Sequence, residues 1–524
     1  MPDTGRCRRL LVAASLAVLA IVLLKWLCLE VYFIPSPSMQ PLLLGNDAVH
    51  DRVLVDKLSH LFAPPARWHV IAFHSPLQRR QAVVKRLVGL PGERLHIAGG
   101  NVHVLDGDGP DAVLRALRKP DRVQQQLWRE VYPARRLLRG QDRALAGGIV
   151  ASPQSAWHEL DGGELVAAGG ADIEHRLILD DEDGGLVDRI WDGHPPAVAA
   201  ALRQASSQWG LLGEIVPDAR IAVAVSAETE PAEFALTLTV HRPDLPTLRF
   251  GLEVRDATAR LVVGEGPDAD VVAASAAFAL PMARSAGVRI AFAHVDDELI
   301  AWRDGEEIAR FDTAAWPCRD GCELPSPRGL ELAKPSPDQC VEVGLRLRAA
   351  TAVHLGDLRI CRDQHYTRGG LPPDHRIAVP AGHYFVLGDN PQQSQDSRGW
   401  PFVELGRDPG GGLVPPDTTG AERHRGALRL GDPERAPDAD ENPIFVAEQS
   451  LAVMVDEFGE PRRFELPGPA SWHFGALRIE AGETAWEPPV DELHFLPMSL
   501  VSGRVLARIW PLPPVGPWRP GWVR

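Results

Sequence analysis

Two side chains in this sequence are placed where they could do chemistry together. Ser38 lies in Ile34-Pro35-Ser36-Pro37-Ser38-Met39-Gln40-Pro41, and Lys85 in Ala82-Val83-Val84-Lys85-Arg86-Leu87-Val88-Gly89-Leu90-Pro91-Gly92-Glu93. Taken alone, each is ordinary: a turn serine and a solvated strand lysine. A serine hydroxyl is a poor nucleophile until a base takes its proton, and a lysine can take it only when its amine is neutral. Burial provides that neutrality, because it disfavours the ammonium form. Lowering the pKa by two to three units from about 10.4 takes roughly 3 to 4 kcal/mol of differential destabilisation. Val83, Val84, Leu87 and Val88 surround Lys85 with apolar side chains that contribute to such an environment.

The segments that would position this pair can be read around it. Strand-like stretches at 52–57 and 70–73 separate the serine from the lysine. Ahead of the serine, every residue from Leu10 to Leu24 is apolar or small, and after Lys25 the apolar character resumes through Trp26, Leu27, Val31, Tyr32, Phe33 and Ile34. Read as one helix of about 24 residues, this run spans about 36 Å, enough for a hydrocarbon core. Arg6, Arg8 and Arg9 precede it, so the positive-inside tendency leaves the N-terminus in the cytoplasm and everything after Ile34 outside. A cleavable leader is the competing reading, but no small-x-small cleavage site follows the run. The serine is thus expected about four residues, at most some 14 Å, from the bilayer.

The composition narrows the possible functions. Of 524 residues, 45% are hydrophobic, and the net charge of −15 argues against a broad nucleic-acid surface, which rests on clustered Lys and Arg. With 48 glycines and 47 prolines among short alternating stretches, the chain reads as mainly β. The 18 histidines show no convincing metal spacing, and the acidic loop Asp180-Asp181-Glu182-Asp183-Gly184-Gly185 lacks the spaced ligands of a calcium loop, so no metal or cofactor is expected. Cys7 and Cys28 flank or enter the apolar run. Cys318, Cys322, Cys340 and Cys361 form an even group that predicts one or two disulfides in an oxidising compartment, with free thiols or a metal site as the alternatives.

Four pieces in order then resemble the type I signal peptidase family. They are Pro35-Ser36-Pro37-Ser38-Met39-Gln40-Pro41 after the apolar run, the Lys85-Arg86 segment ending Gly89-Leu90-Pro91-Gly92-Glu93, Gly388-Asp389-Asn390 through Ser394-Gln395-Asp396-Ser397-Arg398, and a closing strand at 500–511. The resemblance implies a membrane-anchored serine endopeptidase that removes signal peptides from exported preproteins after small-x-small sites. It makes Ser38 the nucleophile and Lys85 the general base, with Ser36 and the Ser38 backbone N–H as the oxyanion hole. Ser394 would orient the lysine amine, Asp396 and Arg398 would support it, and Ile34 and Val84 would line the pockets for small substrate side chains. The sequence departs from the family pattern at Pro391-Gln392-Gln393, where a charged stretch is common.

The resemblance also sets expected boundaries: a cytoplasmic N-terminus and anchor at 1–34, and a catalytic core assembled from 35–98, 376–403 and 496–524. Insertions at 99–375 and 404–495 interrupt that core. In the first, alternating stretches at 288–294, 298–302 and 307–311, the last two separated by Asp304-Gly305, read as a hairpin-rich β-meander. Its pattern resembles a concanavalin-like or laminin G-like sandwich, which leaves a ligand of that insertion open. The region 115–143, rich in Arg, Gln and Leu, is expected to hold the main helices outside the anchor, and the second insertion short strands. The alternative to an active peptidase is a catalytically inactive, membrane-anchored protein that binds glycans or proteins through the sandwich. The expected location is the cell membrane, with the catalytic part on the outer side and the lipid bilayer as a partner.

Overall fold

The computed structural model describes residues 12–16, 28–45, 50–107, 113–133, 149–160, 163–179, 185–194, 196–209, 213–242, 247–265, 270–274, 276–313, 340–372, 375–427, 444–446, 451–466, 470–473, 476–481, 484–486, 490–510 and 521–523. The chain is mainly β and divides into two compact units, Met1–Glu93 with Arg368–Arg524, and Arg94–Thr367.

The first unit is built on an antiparallel sheet with the spatial order Leu29–Phe33, Arg52–Asp56, Val501–Trp510, Val70–Ser75, Gln78–Gly89, His383–Leu387 and Leu496–Pro497. The strand near the C-terminus is wedged between strands from the first hundred residues. Its sequence, Val501-Ser502-Gly503-Arg504-Val505, alternates, with Val501 and Val505 buried. Two apolar clusters serve this sheet. One gathers Ile34, Met39, Leu43, Val53, Val55, Val70, Ala72 and Val84; the other gathers Ile71, Phe73, Leu87, Tyr384, Val386, Trp400 and Leu496. The strand Gln78–Gly89 is paired on both sides, so its C-terminal half, from Val84 to Gly89, is buried throughout.

A second sheet in this unit pairs Trp400–Arg407 with Leu413–Val414, Glu422–Ala427 and Val490–Leu493. It shares a core of Val403, Leu405, Leu413, Met454 and Phe464 with the hairpin Leu451–Val455 and Pro461–Glu465. The loop of that hairpin reaches the tip of the hairpin that carries Lys85. Arg79 N–H donates to the Glu457 carbonyl at 3.1 Å, the Arg79 guanidinium lies 4.9 Å from the Phe458 ring centroid, and Arg80 pairs with Glu460 at 2.5 Å.

The second unit holds two eight-stranded sheets. One is centred on Ala219–Ala227, Arg284–Val295, Glu298–Arg303 and Val353–Arg362, the other on Glu233–His241, Leu248–Arg255, Thr258–Glu265 and Cys340–Arg348. Buried side chains of both sheets, among them Ile221, Val223 and Phe292 from one and Phe234, Leu236 and Leu345 from the other, form one cluster. The Asp304-Gly305 turn joins Glu298–Arg303 to Glu306–Asp312 with both residues at positive φ, 52° and 90°.

Several sequence expectations need correction. Leu29–Phe33, read as the end of the anchor, is a strand registered residue by residue against Arg52–Asp56. Its alternation of Glu30 and Tyr32 with Leu29, Val31 and Phe33 suits a strand better than a span. Ser38 therefore follows the apolar run by more chain than expected. The body of the run, residues 17–27, lies outside the described residues, among which no helix is long and apolar enough to cross a membrane. The region 115–143 contributes a single described helix, Asp121–Leu127, followed at once by the strand Arg129–Tyr132. The longer helix Pro196–Trp209 was not read from the sequence. Cys28, Cys340 and Cys361 are free thiols, so Cys340 and Cys361 are not joined to each other, and Cys318 and Cys322 lie outside the described residues. So does most of the acidic loop, at 180–184.

Candidate active site

Ser38 is carried by a short 3-10 turn, Pro37–Met39, at the end of an extended segment. Proline at the first position fixes φ for the turn without wasting a donor, because the first N–H groups of a turn have no internal partner. The turn is strapped from two directions. Ile34 N–H donates to the Asp51 carbonyl at 3.0 Å, and Asn390 holds the turn's own carbonyls, through its N–H to Ser38 at 3.1 Å and its side-chain amide to Pro37 at 3.2 Å. Gly45 backs the segment so closely that a Cβ there would stand 2.4 Å from the Ser36 carbonyl oxygen. The Ser36 and Ser38 hydroxyls are 3.2 Å apart, and Ser38 is buried at 7% exposure.

Lys85 and Arg86 are neighbours on one strand, so their side chains leave in opposite directions and each requires its own solution to burial. Arg86 is fully buried and forms two parallel hydrogen bonds to Asp389, at 2.7 and 2.6 Å, with a third to the Trp68 carbonyl at 2.7 Å. Lys85 is 2% exposed and has no carboxylate in direct contact among the described residues. Its amine donates to the Ser394 hydroxyl at 3.0 Å, and that hydroxyl donates onward to Asp396 at 2.7 Å. Asp396 is in turn gripped by Arg398 at 2.8 and 2.9 Å and by the Gly388 N–H at 2.9 Å.

Burial draws the Lys85 amine down to about 8, with Asp396 pulling it back up, Arg398 reinforcing the drop and Asp389 opposing it. Burial works against the charge of Asp396, yet Arg398, Lys85 and the Gly388 N–H hold its carboxyl below the usual range. Asp396 therefore stays an anion that accepts the Ser394 proton, leaving the Ser394 oxygen lone pairs for the amine.

Gly388 lets the serine turn and the lysine's hydroxyl partner come together. A Cβ there would sit 2.2 Å from Ser394 Oγ and 2.5 Å from the Ser38 carbonyl oxygen, so those atoms share the space one side chain would need. Pro391–Gln393, where the sequence departs from the family pattern, forms a 3-10 turn. Arg398 donates to the Pro391 carbonyl at 2.9 Å and so ties that turn to the Asp396 network.

Ser36, Ser38, Lys85, Ile34 and Val84 all line one cavity of about 480 Å³, with Gln393, Gln395, Trp400 and Ala427 on its other walls. Ser394, Asp396 and Arg398 form the chain of hydrogen bonds behind the amine. Sequence reading singled out neither Arg86 nor Asp389 as site residues. The signal was present in Lys85-Arg86: two consecutive charges on an apolar strand bury on both faces, so each must find a partner. The contribution of Ala427, from the second insertion, had no signal in the sequence.

A hydroxyl and a buried amine of lowered pKa on one cleft, the amine steered by a second hydroxyl, is a constellation suited to serine–lysine acyl transfer. The family model described as signal peptidase, peptidase S26, matches residues 7–135 and 345–411. Relatives include a signal peptidase I of Leptolyngbya laminosa, 41% identical over 80 residues (14% of this chain, 37% of the relative), and a probable signal peptidase I-1 of Synechocystis sp., 35% identical over 121 residues (20% and 59%). Over these residues the chain is similar to the signal peptidase family, peptidase S26. Its matches span less than two thirds of the length of these relatives. Among solved structures, alginate lyase A1-II' shares 9% identity over 40% of this chain and 83% of its own, at a TM-score of 0.23, a likeness too slight to bear on fold or function.

Proposed function

We propose that this chain is a membrane-tethered serine endopeptidase that cleaves signal peptides from exported preproteins after small residues. The observation that carries the reading is Lys85: an amine 2% exposed, drawn to about 8, hydrogen-bonded through Ser394 to Asp396, and lining the same cavity as Ser38. Neutral Lys85 takes the proton of Ser38 as its oxygen attacks the scissile carbonyl. The oxyanion that forms is held by the Ser36 hydroxyl and the Ser38 N–H, donors whose value is greatest once that charge has developed. The protonated Lys85 then delivers its proton to the departing amine, leaving an acyl ester on Ser38. A water molecule deprotonated by Lys85 hydrolyses that ester and restores both side chains. In this reading Ile34 and Val84, both buried at the cavity wall, line the pockets for small substrate side chains.

In this reading the catalytic core is assembled from 35–98, 376–403 and 496–524. The two-sheet insertion is a concanavalin-like or laminin G-like sandwich, and the apolar run before Cys28 is the anchor that confines the site to the outer membrane surface. The test is cleavage of a preprotein with a small-x-small site by detergent-purified protein. Wild type cuts after the small residue, and Ser38→Ala and Lys85→Ala, still folded, lose about three orders of magnitude or more. Undiminished cleavage by either variant overturns the assignment.

A further inference from the structure

Gln393, the last residue of the 3-10 turn Pro391–Gln393, lines the cavity that Ser38 and Lys85 share, and it stands where the sequence departs from the family pattern. The turn is pinned at both ends. Gln393 N–H donates to the Asn390 carbonyl at 3.1 Å, and Arg398 donates to the Pro391 carbonyl at 2.9 Å. The Gln393 side chain is held as well, by Asn390, whose amide nitrogen donates to Gln393 Oε1 at 3.0 Å and to the Pro37 carbonyl at 3.2 Å.

That shared nitrogen fixes which way the Gln393 carboxamide points. The Pro37 carbonyl can only accept, so the end of Asn390 that meets it is the NH2 group, and the end of Gln393 that meets the same nitrogen is its oxygen. Gln393 Nε2 is therefore turned away from Asn390, and it has no hydrogen-bond partner among the described residues. Asn390 also donates its backbone N–H to the Ser38 carbonyl at 3.1 Å, so one residue sets both the nucleophile's turn and the orientation of this donor.

Resting on the peptidase reading, we propose that Gln393 is a substrate-binding residue whose Nε2 donates to a backbone carbonyl of the extended substrate segment beside the scissile bond. A carboxamide already held by its oxygen loses little rotamer freedom when its NH2 group takes a partner, and a peptide lying in the cleft offers carbonyl acceptors at every residue. The carbonyl it takes is not the one under attack. The bond is therefore made equally in the ground and transition states, and its loss belongs in KM rather than kcat.

The experiment compares wild type, Gln393→Glu and Gln393→Met, as detergent-purified full chain, on peptides spanning a small-x-small site. It is run at about pH 10, where a new charge near Lys85 does not act through the protonation of that amine. Glutamate keeps an oxygen to accept from Asn390 but loses the donor, and places a carboxylate in a cavity whose described lining residues have none; methionine loses both ends. Gln393→Glu is expected to raise KM about tenfold or more, with kcat within about threefold of wild type and the denaturation midpoint unchanged. Gln393→Met raises KM too, by less. Wild-type KM in either folded variant, or a loss confined to kcat, overturns the proposal; a role limited to supporting Asn390 and the Ser38 turn would spare glutamate and impair methionine. If wild type cleaves none of the peptides, the peptidase reading fails and this inference with it.

Discussion

Among the described residues two lysines are almost completely buried, one in each unit, and their amines shift in opposite directions. Lys85 and Lys119 are 2% and 8% exposed, and burial opposes the charge of both. Lys119 touches two carboxylates, Asp296 and Asp363, which hold its amine above the ordinary lysine range. Lys85 meets a hydroxyl, and the nearest carboxylate of its network stands one hydrogen bond further away. That single interposed oxygen separates an amine held as a cation from one that loses its charge near pH 8. Direct carboxylate contact raises the pKa of a buried amine; contact through the Ser394 hydroxyl leaves it lowered.

The comparison is broken most severely at Lys119. Lys119→Met leaves Asp296 and Asp363 buried without their cation and is expected to destabilise its unit by about 3 to 5 kcal/mol, read by chemical denaturation. Lys85→Met should behave in the opposite way. The folded pKa of Lys85 is lowered, so the cost of its buried charge is fully present below about 8 and fades as pH rises toward the unfolded value. The variant should therefore gain relative to wild type as pH falls from 10.5 to 8, by about 3 kcal/mol across that window. A stability difference that does not change with pH would show that Lys85 is not buried as a strained cation.

Ser394→Ala sharpens the contrast by removing the relay while leaving Asp396 and Arg398 in place. Cleavage should fall about 10- to 100-fold through misplacement of the amine, with stability changed by only about 1 kcal/mol, measured by single-turnover kinetics and denaturation on the same preparation. The smallest effect is expected at the exposed pair between Arg80 and Glu460, which links the second insertion to the Lys85 hairpin. Arg80→Ala should cost under about 1 kcal/mol. A large loss of cleavage there would mean that the insertion positions Lys85 more strongly than its contacts indicate.

How much of this could be read from the sequence depended on how local each signal was. Ser38, Lys85, Ser394, Asp396 and Arg398 stand in short motifs, and the Asp304-Gly305 turn carries its own conformational signature. Two other hairpin turns, Asp256-Ala257 and Asp296-Asp297, also adopt positive φ but contain no glycine, so composition did not mark them. The strand Leu29–Phe33 was absorbed into the apolar run before it, because hydrophobicity alone does not separate the end of a span from an apolar edge strand. The network of Lys119, Asp296 and Asp363 gathers residues far apart in the sequence, and only the sheet topology brings them together.

The central claim, that Lys85 acts as the base because burial without a contacting carboxylate lowers its pKa to about 8, is tested most directly by the pH dependence of kcat/KM for preprotein cleavage. The account predicts a rise with pH whose midpoint lies at about 8, so that activity at pH 7 is about a tenth of the alkaline plateau. A midpoint near the ordinary lysine value of about 10.4, or a profile flat between about pH 6 and 10, would contradict it.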